Sequence, residues 1–333
     1  MVGARKAFWK IYRPVSKKLV IESEETTMRK SLKKLIAVVV TAAMTMSVGM
    51  PAFAAESFQK QSDLRTEEAR QSLEHDEFLA AVEKGKFDIQ KTNEFAALTK
   101  TRNLSKEDLE YKNALLAETK NRAALSEDEL KKMGYSNEKI AKLKALENVE
   151  NITVEQASDT APDVVVYSMI SAHSYNSFRN ETYFILEYDW VWEATPLYRG
   201  TDILGIAWSN DDWYLYSEIY PNSNINYVRN YTLSGSLSST DRTQWFEQDI
   251  ATASITFPVA KTVNTFAKSG YGAIELKQPG RILNPQFSFK YGHGRPNVTP
   301  QLSIPQLAIN FGFSGVTDTY AAPLLSSGHP DNA

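Results

Sequence analysis

Large aromatic residues are concentrated around an acidic turn near the middle of the second half of the chain. They are Trp190, Trp192, Trp208, Trp213, Tyr214, Tyr216, Tyr220 and Trp245. Rings of this size stack on sugar faces and anchor protein interfaces when they are exposed, and fill the core when they are not. The pattern predicts that Trp190 and Trp192 are core residues. Trp213, Tyr214 and Tyr216 occupy both faces of a short strand, so we expect at least one exposed ring and predict that these three bind a ligand.

Acidic residues near the same turn have the chemistry of calcium ligands. Asp211 and Asp212 belong to the turn at 209–212, and Asp202 precedes it. Carboxylates are hard oxygen donors, which calcium prefers. The sequence therefore gives Asp202, Asp211 and Asp212 as candidate metal ligands. It predicts no other cofactor, because the chain has no Cys and its four His form no zinc-binding cluster.

A second set of carboxylates could act as a catalytic pair. Glu187, Asp189 and Glu193 alternate along one predicted strand. Residues two apart on a strand have Cβ atoms about 7 Å from each other, within the range used in glycoside hydrolysis. The outer face of a half-exposed antiparallel sheet has the same pattern, so we expect a solvated polar face. A carboxylate-pair hydrolase is kept as an alternative function.

Nucleophilic catalysis has little support in the sequence. There is no G-x-S-x-G motif, and His293 lies in the Gly-rich segment 291–295, where an exposed surface histidine is expected. A Ser–His–Asp triad stays open, because its members need not be neighbours in sequence. These observations leave enzymatic activity undecided and favour a non-enzymatic role.

Strands rich in Ser and Thr suggest a third function. Thr252, Ser254 and Thr256 alternate with apolar residues, and 231–240 is also rich in Ser and Thr. Pore-forming exoproteins line barrels with such strands, but any solvated strand looks the same. A membrane crossing needs about 9 to 11 residues, which these runs barely reach. A pore-forming or antimicrobial exoprotein is the second alternative.

The region that carries these residues has the pattern of an antiparallel sheet protein. Along residues 183–193, large apolar side chains alternate with a set that includes the carboxylates Glu187, Asp189 and Glu193, which predicts a strand with one buried face. Eight to ten such short runs are separated by Gly, Pro, Asn and Ser turns. The sequence therefore predicts a β-sandwich over 164–318, Greek-key or jelly-roll-like, followed by a flexible tail at 319–333. A barrel is the alternative.

The preceding region, 55–155, predicts helices. It has no Pro and no Trp and is rich in Glu, Lys, Ala and Leu. Ser126 and Glu129 have the spacing of a capping box, Gly134 ends that helix, and Ser136 caps the next, which predicts a helix–turn–helix hairpin at 126–147. We interpret 55–155 as a charged helical arm joined by a linker at 156–163. The fold class is thus α+β by segment.

The N-terminal residues resemble an export signal. From Met28 a basic stretch leads into the uncharged, mostly apolar run 35–49, and Ala52-Phe-Ala54 provides small residues for cleavage before Ala55. The sequence thus predicts a secreted bacterial protein with signal peptide 28–54 and no stable transmembrane segment after cleavage. Residues 1–27 are interpreted as a non-native extension from a start site assigned too early.

Removal of that segment changes the charge. The first 54 residues hold ten of the 37 Lys and Arg and three of the 40 Asp and Glu, which leaves a mature chain with a net charge of −10. Such a chain is not expected to bind nucleic acid. The predicted function is that of a secreted, non-enzymatic protein whose aromatic-rich sandwich binds a glycan or another cell-surface partner.

Overall fold

The computed structural model describes residues 52–101, 103–209, 214–215, 223–249, 251–295, 298–303, 311–327 and 331–332. The chain divides into two compact units, 1–63 and 64–333, and the architecture below is that of the second. Residues 1–27 and nearly all of the signal segment 28–54 lie outside the described ranges. Export and cleavage therefore stay predictions.

The described ranges contain six helices. They are α1 Ala52–Glu83, α2 Glu94–Thr101, α3 Lys106–Ala123, α4 Glu127–Lys132, α5 Asn137–Ala145 and α6 Val154–Thr160. Ser126 and Glu129 form the capping box of α4, and Ser136 caps α5 by accepting from the amide of Lys139. Gly134, between these two helices, has a φ of +93°, a conformation that favours glycine.

The same ranges contain seventeen strands. They are β1 Gln90–Thr92, β2 Val164–Asn176, β3 Glu181–Trp192, β4 Thr201–Trp208, β5 Tyr214–Leu215, β6 Ile225–Thr232, β7 Leu237–Gln244, β8 Phe246–Asp249, β9 Thr252–Pro258, β10 Ala260–Thr262, β11 Thr265–Pro279, β12 Gln286–Gly294, β13 Gln301–Ser303, β14 Gly312–Ser314, β15 Val316–Ala321, β16 Leu325–Ser326 and β17 Asp331–Asn332.

The strands form two main sheets and a small β13–β14 pair. The first sheet has the order β1-β15-β12-β4-β9-β8, with β16 also on β12. The second has the order β17-β2-β3-β11-β6-β7, with β5 and β10 also on β11. All described pairs are antiparallel except β17 with β2. The predicted α+β class with a β-sandwich is confirmed.

Aromatic residues fill the space between the two sheets. On β3, the alternation predicted from the sequence directs Phe184, Leu186, Tyr188, Trp190 and Trp192 into one core with residues of β4, β9 and β12. Trp208 and Trp245 join the same core, and all four of these indoles are almost fully buried. The described tryptophans therefore stabilise the sandwich and are not available to a ligand.

The helical region is packed on the sandwich and does not form a separate arm. Phe78 of α1 packs against Val165 and Val191 on the outer face of the second sheet. Arg122 of α3 is buried and donates to the carbonyl oxygens of Thr195 and Pro196 at 2.8 and 3.0 Å. The region also supplies β1, which pairs with β15 at the edge of the first sheet.

The predicted linker 156–163 differs from the structure. Thr153 and Gln156 form a capping box that starts α6, so most of the linker is helical. Asp163 is buried and pairs with Lys91 and Lys139 at 2.9 and 2.8 Å. Since burial of a charge requires such partners, this segment is fixed in place.

The predicted flexible tail is wrong over its first residues. Residues 319–321 belong to β15, and Tyr320 lies in the main core between the sheets. The apolar side chain of Tyr320 and the ladder with β12 hold this part of the chain to the first sheet.

Close packing of β11 against Trp190 gives a test of the core. A Cβ atom at Gly270 would lie 2.6 Å from the indole of Trp190, whereas one at Gly312 would meet nothing within 4 Å. We expect Gly270→Ala to lower the free energy of unfolding by about 1–3 kcal/mol because the core has no room for a methyl group. Chemical denaturation measures this, with Gly312→Ala as the matched control. Equal stability of the two variants would contradict the packing.

Candidate functional site

The predicted solvated face of β3 is covered by α1. Glu187 pairs with Arg70 at 2.7 Å, and Asp189 lies 2.7 Å from Nδ1 of His75. Both carboxylates are largely buried, so the expectation of an exposed polar face was wrong. The sequence could not reveal this, because the helix that covers them lies more than one hundred residues earlier in the chain. These carboxylates attach a helix and do not line an open groove.

His75 also connects this helix to the neighbouring strand. Its Nε2 lies 3.0 Å from Oγ of Ser269, so serine, histidine and aspartate are joined in one hydrogen-bonded series. This is the arrangement of a catalytic triad, which the sequence had left open. Both His75 and Ser269 are almost fully buried, and the imidazole lies against the rings of Phe78 and Tyr271. These contacts therefore hold α1 to the second sheet, and Ser269 is enclosed by protein.

Further ion pairs continue this contact across the second sheet. Arg229 of β6 donates to Asp76 at 2.5 Å and to Oγ of Ser72 at 2.6 Å. Arg242 of β7 pairs with Glu68. Because this interface contains several ion pairs, its strength depends on the protonation of the groups within it.

Glu187 is the most strongly perturbed carboxyl in that interface. Burial raises its pKa to about 7, and the nearby charges of Glu74 and Asp189 act in the same direction. The attraction of Arg70 opposes this effect without cancelling it. Burial likewise raises the pKa of Glu74, against the attraction of Arg70.

Asp202, a predicted calcium ligand, is a buried hydrogen-bond acceptor. Its Oδ1 accepts from the amide of Gly294 at 3.0 Å and lies 2.7 Å from Nδ1 of His293, while Tyr291 donates its hydroxyl to Oδ2. Both oxygens are thus engaged by protein groups, which differs from a ligand in an open turn. The predicted ligands Asp211 and Asp212 lie outside the described residues. In the part that is described, no three His, Asp or Glu side chains are grouped so as to hold a metal ion.

The expectation of a surface His293 was wrong. The residue lies on β12 and is buried, with its ring against that of Trp192 at a centroid distance of 4.7 Å. Burial alone lowers its pKa, but the charge of Asp202 and its hydrogen bond outweigh this, so the pKa is raised. The glycines on either side belong to the same strand, at positions where Cβ atoms would clash with neighbours.

A small cavity lies beside His293. It is lined by side chains of the helical region and of both sheets, among them Tyr111, Trp192, Tyr198, His293 and Asp318. Its volume of about 20 Å³ accommodates about one water molecule. General-base chemistry requires a substrate within hydrogen-bonding reach of the base, and a cavity of this size does not admit an organic substrate.

The β2–β3 turn presents an exposed aromatic ring. Phe178 is 97% exposed at the tip of this turn. Asn176 fixes the turn by accepting from the amides of Phe178 and Arg179, both at 3.0 Å, and Asn180 adopts a φ of +53°. Asn180 also accepts from the hydroxyl of Tyr175 at 2.9 Å. The ring is therefore held out by a turn with a defined hydrogen-bonding pattern.

The connection from β11 to β12 lies beside this turn. The buried Thr182 donates to the carbonyl of Gly280 at 2.6 Å and accepts from the amide of Ile282 at 3.0 Å. This connection places the guanidinium of Arg281 over the ring of Tyr175, 5.6 Å from its centroid. We call the surface formed by Tyr175, Phe178, Arg179 and Arg281 the aromatic rim.

One predicted binding residue is at this end of the sheet. The backbone of Tyr214 pairs with Lys277, and Lys277 in turn pairs with Tyr183, two residues after the start of β3. Trp213 and Tyr216 lie outside the described residues, so their predicted role is not tested. Phe178 was missed because a single aromatic in a short turn has no periodic pattern; the Asn-x-x-x-Asn turn around it was the available signal.

Comparisons with known proteins add little. No protein-family model matches the chain, and a search of curated proteins finds no match. A solved structure described as "Pore forming protein" aligns with 50% of this chain and 89% of its own, at 8% sequence identity and a TM-score of 0.23. A likeness this weak carries no argument about fold or function. Among the described residues, no helix is both long and apolar enough to cross a bilayer.

The raised pKa of Glu187 predicts how stability depends on pH. Because its pKa is higher in the folded state than the ordinary 4.5, the folded state binds the extra proton, and stability rises as pH falls from about 7 to about 4.5. The contribution is about 3 kcal/mol at most. Urea denaturation across this range should show a flatter pH dependence for Glu187→Gln than for the wild type. Exposed Glu110→Gln is the control, and equal slopes for the wild type and Glu187→Gln would refute the assignment.

A second prediction concerns His293. In an NMR titration its imidazole should have a pKa above 6.5 in the wild type, and Asp202→Asn should lower that pKa, because the charge and the hydrogen bond that oppose the effect of burial are then lost. The raised pKa adds stability below pH 6.5 that is lost as pH rises through the folded-state value. Asp241→Asn, at an exposed ion pair with Lys261, is the control. A pKa of His293 that Asp202→Asn leaves unchanged would be inconsistent with this pair.

Proposed function

We propose that this chain is an exported, non-enzymatic binding protein that recognises a cell-surface glycan through the aromatic rim. The observation that carries the proposal is the 97% exposure of Phe178 on a hydrogen-bonded turn. A large apolar side chain held almost completely in water is a cost to the folded protein, which contact with a ligand would remove.

The chemistry of the rim fits a sugar chain. Aromatic rings make contact with the apolar faces of sugar rings, and arginine side chains donate several hydrogen bonds in a fixed geometry. Phe178 and Tyr175 supply rings, and Arg179 and Arg281 supply donors. Because the β-ladder and the bonds of Thr182 fix both segments of the rim, little conformational entropy is lost on binding.

The proposal includes the residues that the sequence predicted to bind a ligand. Tyr214 is on the short strand next to Lys277, and Trp213 and Tyr216 are its neighbours in sequence. In this proposal they also contact the sugar chain. Secretion through the segment 28–54 would bring the rim to its ligand outside the cell.

A pull-down against insoluble cell-wall, chitin and cellulose fractions tests the proposal. We expect the wild type to pellet with at least one polymer. Phe178→Ser should bind that polymer at least about tenfold more weakly, because it lacks the aromatic ring that the ligand would cover. Arg281→Gln should weaken binding by a smaller factor. Trp213→Ala tests whether the adjoining residues take part.

Val263→Ser is the matched control, since Val263 is another strongly exposed apolar side chain, at the opposite end of β11. Two results would overturn the proposal. One is a wild type that stays in the supernatant of every polymer. The other is a Phe178→Ser variant that pellets as well as the wild type.

A further inference from the structure

Three exposed apolar side chains meet at two neighbouring hairpin tips. Val263, in the β10–β11 turn, is 82% exposed, and Leu233 and Leu237, which flank the β6–β7 turn, are 44% and 52% exposed. The amide of Leu233 donates to the carbonyl of Asn264 at 3.0 Å, so the two turns are in direct contact. We call these three residues the apolar tips.

The apolar tips lie at the opposite end of the second sheet from the aromatic rim. β11 starts next to Val263 and ends at Pro279, which pairs with Glu181 beside the Phe178 turn. Its 15 residues span roughly 45 Å at about 3.3 Å per residue. The two surfaces are therefore separate, and variants of one leave the other intact.

The surroundings of the tips are polar and positively charged. The segments 231–240 and 259–268 contain two Lys and no acidic residue, and eight Ser and Thr. Arg199 donates to the carbonyl of Val263 at 3.0 Å, and Lys261 pairs with Asp241 at the base of β7. Lys268 lies near Glu83, which is followed by the exposed Lys84 and Lys86. Cations thus outnumber acids here, in a chain whose net charge is negative.

From this geometry we infer that the apolar tips dock onto an anionic lipid surface. Apolar side chains at loop tips enter the boundary between headgroups and acyl chains, while Ser and Thr hydroxyls remain among the headgroups. Arginine and lysine near a negative leaflet add about 1 kcal/mol each, or roughly a fivefold gain in binding. The apolar tips lie in turns or directly beside them. They can therefore enter the lipid interface without any change in the β-ladder.

Vesicle co-sedimentation tests this inference. The protein should pellet with mixed phosphatidylcholine–phosphatidylglycerol vesicles, should pellet less with phosphatidylcholine alone, and should be released by added salt. Val263→Asp, at a side chain that is 82% exposed, should weaken binding at least about tenfold, and Lys261→Gln by roughly fivefold. Phe178→Ser is the matched control and should bind vesicles as the wild type does.

Several outcomes would overturn the inference. Failure to pellet with the mixed vesicles at low salt is one, and equal binding by Val263→Asp is another. If Val263→Asp changes the sedimentation of the protein alone, without lipid, the tips bind a second copy of the chain instead. If free glycerol phosphate competes with the vesicles and Val263→Asp binds the vesicles as well as the wild type does, the protein recognises the lipid headgroup alone. Because the pull-down and the vesicle assay use different ligands, and each takes a variant of the other surface as its control, failure of one proposal is distinguishable from failure of the other.

Discussion

Charged side chains removed from water must find partners, and this constraint fixes the helical region on the sandwich. The outer face of the second sheet has carboxylates on β3 and arginines on β6 and β7, and α1 supplies the opposite charges over its second half. Between them, His75 connects Asp189 with Ser269. Apolar packing around Phe78 is confined to one end of this interface. The ion pairs and hydrogen bonds match the helix to one position on the sheet, and the apolar cluster around Phe78 adds buried area to the same contact.

A chain rich in aromatic residues uses most of them inside. The core between the sheets takes Trp190, Trp192, Trp208 and Trp245, together with the rings of β12 and β15. What remains for recognition is at the ends of the strands, where turns are free of the packing that fills the interior. The exposed apolar side chains therefore lie at these turns: Phe178 at one end of the second sheet and the apolar tips at the other. Two surfaces of different chemistry are thus held apart by the length of β11.

The elements with strict local patterns were predictable. The alternation along β3 gave both the strand and its buried face, and the capping box at Ser126 gave the start of α4. The capping box at Thr153 was equally present in the sequence, but the Pro and Asp residues after it suggested a linker. Phe178 was not found from the sequence, because its exposure depends on the turn and not on a repeat.

The sequence by itself determined the fold class, the buried face of β3 and the chemistry of the turns, since these depend on residues a few positions apart. Only the tertiary structure determines which partners the buried polar groups have. Asp202 and His293 are 91 positions apart, and His75 and Ser269 are 194 apart. Hydrogen bonds and charges act over a few ångströms in space, whatever the separation along the chain, so a pattern of neighbours does not reveal them.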